Sequence, residues 1–220
     1  MPEKNAGESV GRLRVDISDA LLCTVVDVLV ASWPAVVSSK VVTATSTEDE
    51  ITDVLYEEMY DEKERRELDN IDFDREPQSN LRHEPLPLGY IDVKVSYNAW
   101  RKTDYFAIEC KKVSASSITP AKKYIDDGVV RFVTEKYSSG HSRGAMVGYV
   151  VDGCEEDCAR LLEGLFSSHK LVETNIRRAW SRHDLFRSHP HVFRSDHEQQ
   201  HSKRIISLMH VLLSFSMRSL

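Results

Sequence analysis

Two stretches near the middle of the chain, residues 91–97 and 105–113, are predicted to be β-strands. Apolar and polar residues alternate along the first, and along the second Phe106, Ile108 and Cys110 share one face. Because successive side chains of a strand point to opposite faces, the alternation places Glu109 and Lys111 together on one face of the second strand. On the first strand, the alternation places Asp92 and Lys94 on the face opposite to the apolar residues. The pattern predicts an antiparallel hairpin that carries three charged side chains on largely buried strands.

The remaining apolar positions predict helices on either side of this hairpin. Thr47 and Glu50 form a capping-box pattern, which predicts a helix that begins at residue 48. Further helices are predicted over residues 18–32, 119–137 and 155–166, a buried strand over 144–151, and a terminal edge strand over 204–215, for which a helix is the alternative. Residues 61–80 are predicted to continue the helix briefly and then to form a loop, and residues 170–204 show no clear period. This order of elements predicts an α/β fold, a three-layer sandwich with a central mixed β-sheet.

A chain of 220 residues fits one compact domain with appendages. We divide it into an N-terminal helical extension (1–46), a core (47–152), and a C-terminal part (153–220) with a helix, a basic and histidine-rich segment and the last strand. The apolar run of residues 20–37 is broken by Asp27 and Pro34, which argues against a membrane span. The four cysteines lack metal-site spacing and no secretory leader precedes them, so we expect free thiols and a cytoplasmic protein.

Charge is distributed unevenly along the chain. Residues 1–78 carry 19 acidic and 8 basic side chains, whereas residues 79–220 carry 16 acidic and 21 basic ones. A basic half is compatible with a nucleic-acid partner, and the acidic segment 48–76 with a protein partner. The cationic side chains proposed to contact phosphates are Lys102, Lys122, Arg182, Arg187 and Arg194. A solvated charged surface is the alternative that charge alone leaves open.

The three charged residues of the hairpin have two interpretations. A buried carboxylate pair with an ammonium is costly unless it binds a ligand or forms a structural ion pair. In the first interpretation, Asp92 and Glu109 supply hard oxygen ligands to Mg²⁺ or Mn²⁺, and Lys111 orients or helps to deprotonate a water molecule. In the second, the three side chains only neutralise one another. The histidines of the C-terminal third, including the pair His197 and His201, lack the further ligands of a zinc site, so we assign no metal there.

The order of these residues resembles that of the PD-(D/E)xK, or restriction-endonuclease-like, nuclease superfamily. The resemblance covers residues 47–152 and rests on Asp92, a turn, Glu109-x-Lys111, and the helix and strand that follow. Ile91 stands where the motif has proline. The resemblance implies a Mg²⁺- or Mn²⁺-dependent nuclease with the Cys110 carbonyl as a further metal ligand. It also implies a carboxylate from the first helix of the core, for which Glu50 is the candidate and Glu57 the second choice.

The later run Tyr124-x-x-x-Gly128-x-x-Arg131-Phe132, followed by residues 146–149, is similar to small bacterial members linked to defence systems. We therefore expect hydrolysis of nucleic acid, DNA rather than RNA, in anti-phage defence. Two other classes stay open. One is an inactive nuclease-fold subunit that binds nucleic acid or a protein, and the other is an assembly protein that uses the acidic segment. A homo-oligomer and a subunit of a larger complex are equally compatible with the sequence.

Overall fold

The computed structural model describes residues 17–75, 82–83, 86–87, 90–101, 104–168 and 174–216. Helices span Asp19–Ser39 (α1), Glu48–Arg65 (α2), Ile118–Lys123 (α3), Val130–Val133 (α4) and Glu155–Ser167 (α5). Strands span Ile71–Arg75 (β1), Arg82–His83 (β2), Leu86–Pro87 (β3), Val93–Tyr97 (β4), Phe106–Ser114 (β5), Arg143–Asp152 (β6), Ile176–Arg182 (β7), Val192–Glu198 (β8) and Ile205–Ser214 (β9). A π-helical segment, Tyr124–Val129, joins α3 to α4.

Seven strands form one mixed sheet in the order β1-β4-β5-β6-β9-β8-β7, and β2 pairs with β3 separately. The predicted hairpin is present, since β4 and β5 pair antiparallel. β5, β6 and β9 run parallel to one another, and the outer pairs are antiparallel. The predicted α/β class with a mixed sheet is therefore confirmed.

Helices cover both faces of this sheet. One apolar cluster packs α1 and α2 against alternate residues of β4, β5, β6 and β9. A second cluster packs α3, the π segment, α4 and α5 against the opposite face. The strands in the centre of the sheet are buried on both faces. The two clusters are therefore the two interfaces of a three-layer arrangement.

The helix α1 is longer than the sequence predicted. It begins after its N-cap, Ser18, and continues past Pro34 to Ser39. By length and composition, α1 is the one helix in the described ranges that could cross a membrane. In this fold its buried residues pack against α2 and the sheet, as those of a core helix do.

Three further predictions need correction. Residues 71–75 form β1, which the dense charge around them concealed. Residues 176–198, predicted as irregular, form β7 and β8, whose alternation is broken by register shifts. The last strand, β9, is not at an edge but lies between β6 and β8. Because α1 shares a core cluster with β9, and β9 pairs with β6, the three predicted units form one packed body.

The predicted helix after the hairpin is present but contains the π-helical segment, whose wider turn is unusual in a helix interior. Gly128 lies in this segment against the sheet. A Cβ atom built there would lie 2.4 Å from Cε of Met146 and 3.5 Å from Cγ of Lys111. The glycine therefore allows the helix to approach the strand that carries Lys111.

Candidate active site

The candidate site lies where β4 and β5 separate. The two strands pair over only three positions, Val93 to Val95 on β4, and Asp92 stands immediately outside this ladder. The backbone N–H of Cys110 donates to Oδ2 of Asp92 at 2.6 Å. The carboxylate of Asp92 thus takes the place of a backbone partner, which fixes it beside Glu109. Oδ1 of Asp92 makes no hydrogen bond with any described residue.

Three carboxylates surround the ammonium of Lys111. Its Nζ lies 2.8 Å from Oε1 of Glu109, 2.8 Å from Oε1 of Glu48 and 3.9 Å from Oδ2 of Asp92. It also donates to the Cys110 carbonyl at 2.7 Å. The two sequence-predicted carboxylates therefore approach the same cation. Arg131 also contacts Glu109. We refer to the three carboxylates Glu48, Asp92 and Glu109, together with Lys111 and Arg131, as the acidic cluster.

Glu109 is the most deeply buried member of the acidic cluster, with a fully inaccessible side chain. Its Oε1 also accepts from Nη1 of Arg131 at 2.6 Å, whereas its Oε2 is buried and has no hydrogen-bond partner among the residues that the structure describes. Burial, and then the charge of Asp92, raises the pKa of Glu109 to about 7, although Lys111 and Arg131 oppose the shift. The carboxyl group is consequently half protonated near neutral pH.

The other titratable groups shift for related reasons. Burial raises the pKa of Asp92, against the opposing effects of Lys111 and the Cys110 N–H. Burial by itself lowers the pKa of Lys111, but the charges of Glu109, Asp92 and Glu48 outweigh it and the net pKa is raised. Lys111 is therefore an ammonium at neutral pH, a donor and not a base.

The helix carboxylate that reaches the cluster is Glu48, not the predicted Glu50. Oε2 of Glu50 accepts from the backbone N–H of Thr47 at 2.7 Å, which completes the capping box and turns the side chain away to solvent. Glu57 is also exposed. Glu48 precedes Glu50 by half a helical turn, and its Oε2 accepts from the backbone N–H of Lys112 at 2.9 Å. The capping box by itself explains a glutamate at position 50, and no sequence pattern identified Glu48 as a residue of the site.

The oxygen atoms present are suited to a hard divalent cation. Oε2 of Glu109 and Oδ1 of Asp92 have no hydrogen-bond partner in the described part of the chain, and carboxylate oxygens are the ligands that Mg²⁺ and Mn²⁺ prefer. Among the described residues, the carboxylates of Glu48, Asp92 and Glu109 do not lie within 4.8 Å of one another as a set, because the Lys111 ammonium stands between them. The Cys110 carbonyl, predicted as a further ligand, accepts from that same ammonium.

The predicted phosphate contacts are distributed over the molecule. Lys122 is exposed on α3, and Lys102 lies outside the described residues. Arg182 on β7 donates to the Pro190 carbonyl. Arg194 on β8 pairs with Asp196 at 2.8 Å, and Arg187 is exposed after a short 3₁₀ turn, Asp184–Phe186. Two strands, β6 and β9, separate β5 from β8, so the three arginines do not surround the acidic cluster.

A second buried polar group lies on the same face of the sheet. The Tyr124 hydroxyl contacts Nδ1 of His210 at 2.9 Å, and Ser195 Oγ lies 2.7 Å from both His210 Nε2 and His197 Nε2. His197 Nδ1 lies 2.7 Å from the Thr174 carbonyl, so this nitrogen must donate. The direction of every other hydrogen bond follows: Ser195 donates to His197, His210 donates to Ser195, and Tyr124 donates to His210. We refer to these five residues as the histidine chain.

Sequence reasoning missed both Arg131 and the histidine chain. Arg131 was noted only as part of the pattern over residues 124–132. Its position three residues after Gly128 gave no reason to place it beside Glu109. His197 belongs to the chain, whereas His201 is exposed, so the helical spacing of this pair has no structural counterpart. Buried histidines are recognisable from sequence only once their strand is known.

Comparison of the chain with protein-family models, with curated proteins and with solved structures gives no match.

Proposed function

We propose that the chain is a Mg²⁺- or Mn²⁺-dependent nuclease, with DNA favoured over RNA as its substrate and anti-phage defence as its setting. One observation carries the proposal. Glu109 is wholly buried, holds an unpartnered oxygen and stands beside Asp92 and Lys111 at the point where two strands separate. An unpartnered buried carboxylate oxygen is costly to the fold, so a ligand that binds it offers the reason for its presence.

Each residue of the acidic cluster has a separate task in this proposal. Asp92 and Glu109 would hold the ion, which when bound polarises the scissile phosphate and lowers the pKa of a water molecule. Lys111, kept protonated by its neighbours, donates to the attacking water or to a phosphate oxygen and offsets negative charge. Glu48 fixes the ammonium of Lys111 from the side of α2.

The arrangement of elements supports a restriction-endonuclease-like core. Helix α2 precedes the hairpin of β4 and β5, and a helical connection then leads to the parallel strand β6. Protonation of Glu109 competes with cation binding, so we expect affinity for the metal and cleavage to increase as the pH rises through about 7.

A second candidate is a nuclease-fold subunit that binds nucleic acid or a protein without cleavage. It is favoured by the position of Lys111, whose ammonium already contacts all three carboxylates and the Cys110 carbonyl. In that case the acidic cluster is a structural ion-pair network, and the removal of any one member leaves a buried charge uncompensated.

The test is a digest of plasmid, linear and single-stranded DNA, and of RNA, in Mg²⁺, Mn²⁺ and EDTA. We expect the wild type to cleave DNA only with a metal, and Asp92→Asn to be inactive but folded. Asp127→Asn, at an exposed position of the π segment, is the matched control and should cleave normally. A wild type that ignores metals, together with a strongly destabilised Asp92→Asn, would favour the binding subunit.

A further inference from the structure

The side chain of Arg131 projects from α4 into the acidic cluster with only part of its guanidinium engaged. Its Nη1 donates to Oε1 of Glu109 at 2.6 Å and to the hydroxyl of Tyr137 at 2.8 Å. The Tyr137 hydroxyl in turn donates to the carbonyl of Tyr90. The position of Nη1 is therefore fixed by two hydrogen bonds, one of them to a side chain that is itself anchored to the backbone.

The opposite edge of the guanidinium consists of Nε and Nη2. Nε and Nη2 of Arg131 make no hydrogen bond and no ion pair with any residue that the structure describes, and neither atom is buried without a partner. The side chain is 30% exposed. The Nε and Nη2 hydrogens point in parallel, which is the geometry that matches two oxygens of one phosphate group. Arg131 thus has a charged, bidentate donor edge that faces solvent beside Glu109.

The local fold explains this position. Arg131 follows directly on the π-helical segment, and Gly128 allows that segment to pack against Met146 and Lys111. Cζ of Arg131 lies 5.7 Å and Nζ of Lys136 lies 6.0 Å from the centre of the Tyr137 ring.

We propose that Arg131 binds the non-bridging oxygens of the phosphodiester, with Tyr137 as the residue that positions it. This inference rests on the proposed nuclease function, because it assigns the phosphate-binding part of the same site. Hydrolysis adds negative charge to these oxygens in the transition state, so a guanidinium fixed in advance stabilises the transition state more than the bound substrate.

The experiment compares wild type, Arg131→Ala, Arg131→Lys and Tyr137→Phe, with Arg160→Ala as the control. Arg160 is 74% exposed on α5, away from the acidic cluster. Binding of a fluorescent 20-nucleotide single strand is measured by anisotropy in EDTA, and cleavage is measured in Mn²⁺. We expect Arg131→Ala to weaken metal-free binding about 10-fold and to slow cleavage about 100-fold, with the Mn²⁺-induced rise in Tm retained.

The two remaining variants separate charge from geometry. Arg131→Lys keeps the charge but cannot bond Tyr137 and two phosphate oxygens together, so binding should recover more than kcat. Tyr137→Phe removes only the anchor, so kcat should fall several-fold while KM changes little. A kcat for Arg131→Lys equal to that of the wild type would overturn the bidentate assignment, as would unchanged kcat in Tyr137→Phe.

Failure of this inference differs from failure of the nuclease proposal. If the wild type cleaves and Arg131→Ala binds and cleaves like Arg160→Ala, the phosphate-binding role is wrong and the nuclease stands. If the wild type does not cleave but Arg131→Ala loses metal-free binding, the phosphate site stands and the catalytic proposal fails. If Arg131→Ala is unfolded, the kcat values of Arg131→Lys and Tyr137→Phe, compared with that of the wild type, decide whether Arg131 binds the phosphate.

Discussion

The acidic cluster and the histidine chain both contain buried polar side chains, but their hydrogen bonding differs. In the histidine chain each ring nitrogen has one partner and the Ser195 hydroxyl has two, and a single direction of donation satisfies all of them. In the acidic cluster Oε1 of Glu109 has two cationic partners, whereas Oε2 has none among the described residues. A satisfied network holds a core together, whereas a partly satisfied one has capacity for a ligand.

The two regions also give stability opposite dependences on pH. Glu109 has a pKa near 7 in the fold against 4.5 unfolded, so the folded state holds more protons and loses about 3 kcal/mol as pH rises through this window. Burial lowers the pKa of His197 to about 4 from 6.5, so the folded state there holds fewer protons. That contribution is complete above pH 6.5 and decreases by about 3 kcal/mol as pH falls to 4.

The contrast gives a criterion for function in this fold. Neutral histidines that are buried and paired require no ligand, even though their pKa values are strongly perturbed. The ionised form of Glu109 is disfavoured despite two cations, because burial outweighs them. A perturbed pKa therefore indicates a site only when an unpartnered atom accompanies it.

The largest effect is expected from Glu109→Gln. Removal of the ionised oxygen should reduce metal-dependent cleavage at least about 1,000-fold, because the cation loses a ligand. The same change should raise the free energy of unfolding of the metal-free protein at pH 8 by roughly 1–3 kcal/mol, since the disfavoured charge is gone. Cleavage kinetics and urea unfolding at pH 5 and pH 8 measure both effects.

The gain in stability of Glu109→Gln should shrink as the pH falls to 5, where Glu109 is protonated in the wild type. A variant that is destabilised at pH 8 would show instead that the acidic cluster is a structural ion-pair network.

Ser195→Ala is the matched change in the histidine chain, and its effect should be on stability alone. It leaves a donor on His210 and an acceptor on His197 unpaired in the core, which costs about 2–4 kcal/mol. Ser181→Ala, at an exposed position of β7, is the control and should change stability by less than about 0.5 kcal/mol. Cleavage per folded molecule should be unchanged, and a loss of cleavage would show that the two regions are coupled.

Periodicity predicted the elements that carry the site, because the hairpin and the capped helix α2 are local patterns. Alternation over residues 91–97 and 105–113 placed Glu109 and Lys111 on one face, and the structure has both at the point where the strands separate. The capping box at Thr47 is also present. These features depend on residues that are close together in the sequence, so they can be recognised without knowledge of the fold.

The parts that could not be predicted depend on contacts between distant residues. Glu48 reaches Lys111 across 63 positions, and Arg131 reaches Glu109 across 22 positions. β1 was missed because dense charge surrounds its five residues, and β7 and β8 were missed because register shifts interrupt their pairing. Tertiary packing, and not propensity, decides these elements.

Glu48→Gln and Glu50→Gln separate the two first-turn carboxylates of α2. Glu48→Gln removes one of the charges that hold the Lys111 ammonium, so cleavage should fall about 10-fold through kcat. Glu50→Gln weakens only the capping box and should leave cleavage unchanged. Equal effects on cleavage would mean that Glu48 has no place in the site.

The smallest effect is expected from a pair of glycine substitutions that tests how closely the π segment approaches the acidic cluster. Alanine improves helix propensity at both Gly128 and Gly164 by up to about 1 kcal/mol. At Gly164 of α5 nothing lies within 4 Å of the new Cβ, so stability should rise by that amount. At Gly128 the Cβ would lie 2.4 Å from Cε of Met146, which must move within a full core, so stability should fall by about 1 kcal/mol. Thermal unfolding of the two variants measures the difference. An equal gain in both would show that Met146 yields freely, and the glycine would then have no part in bringing Arg131 and Lys111 together.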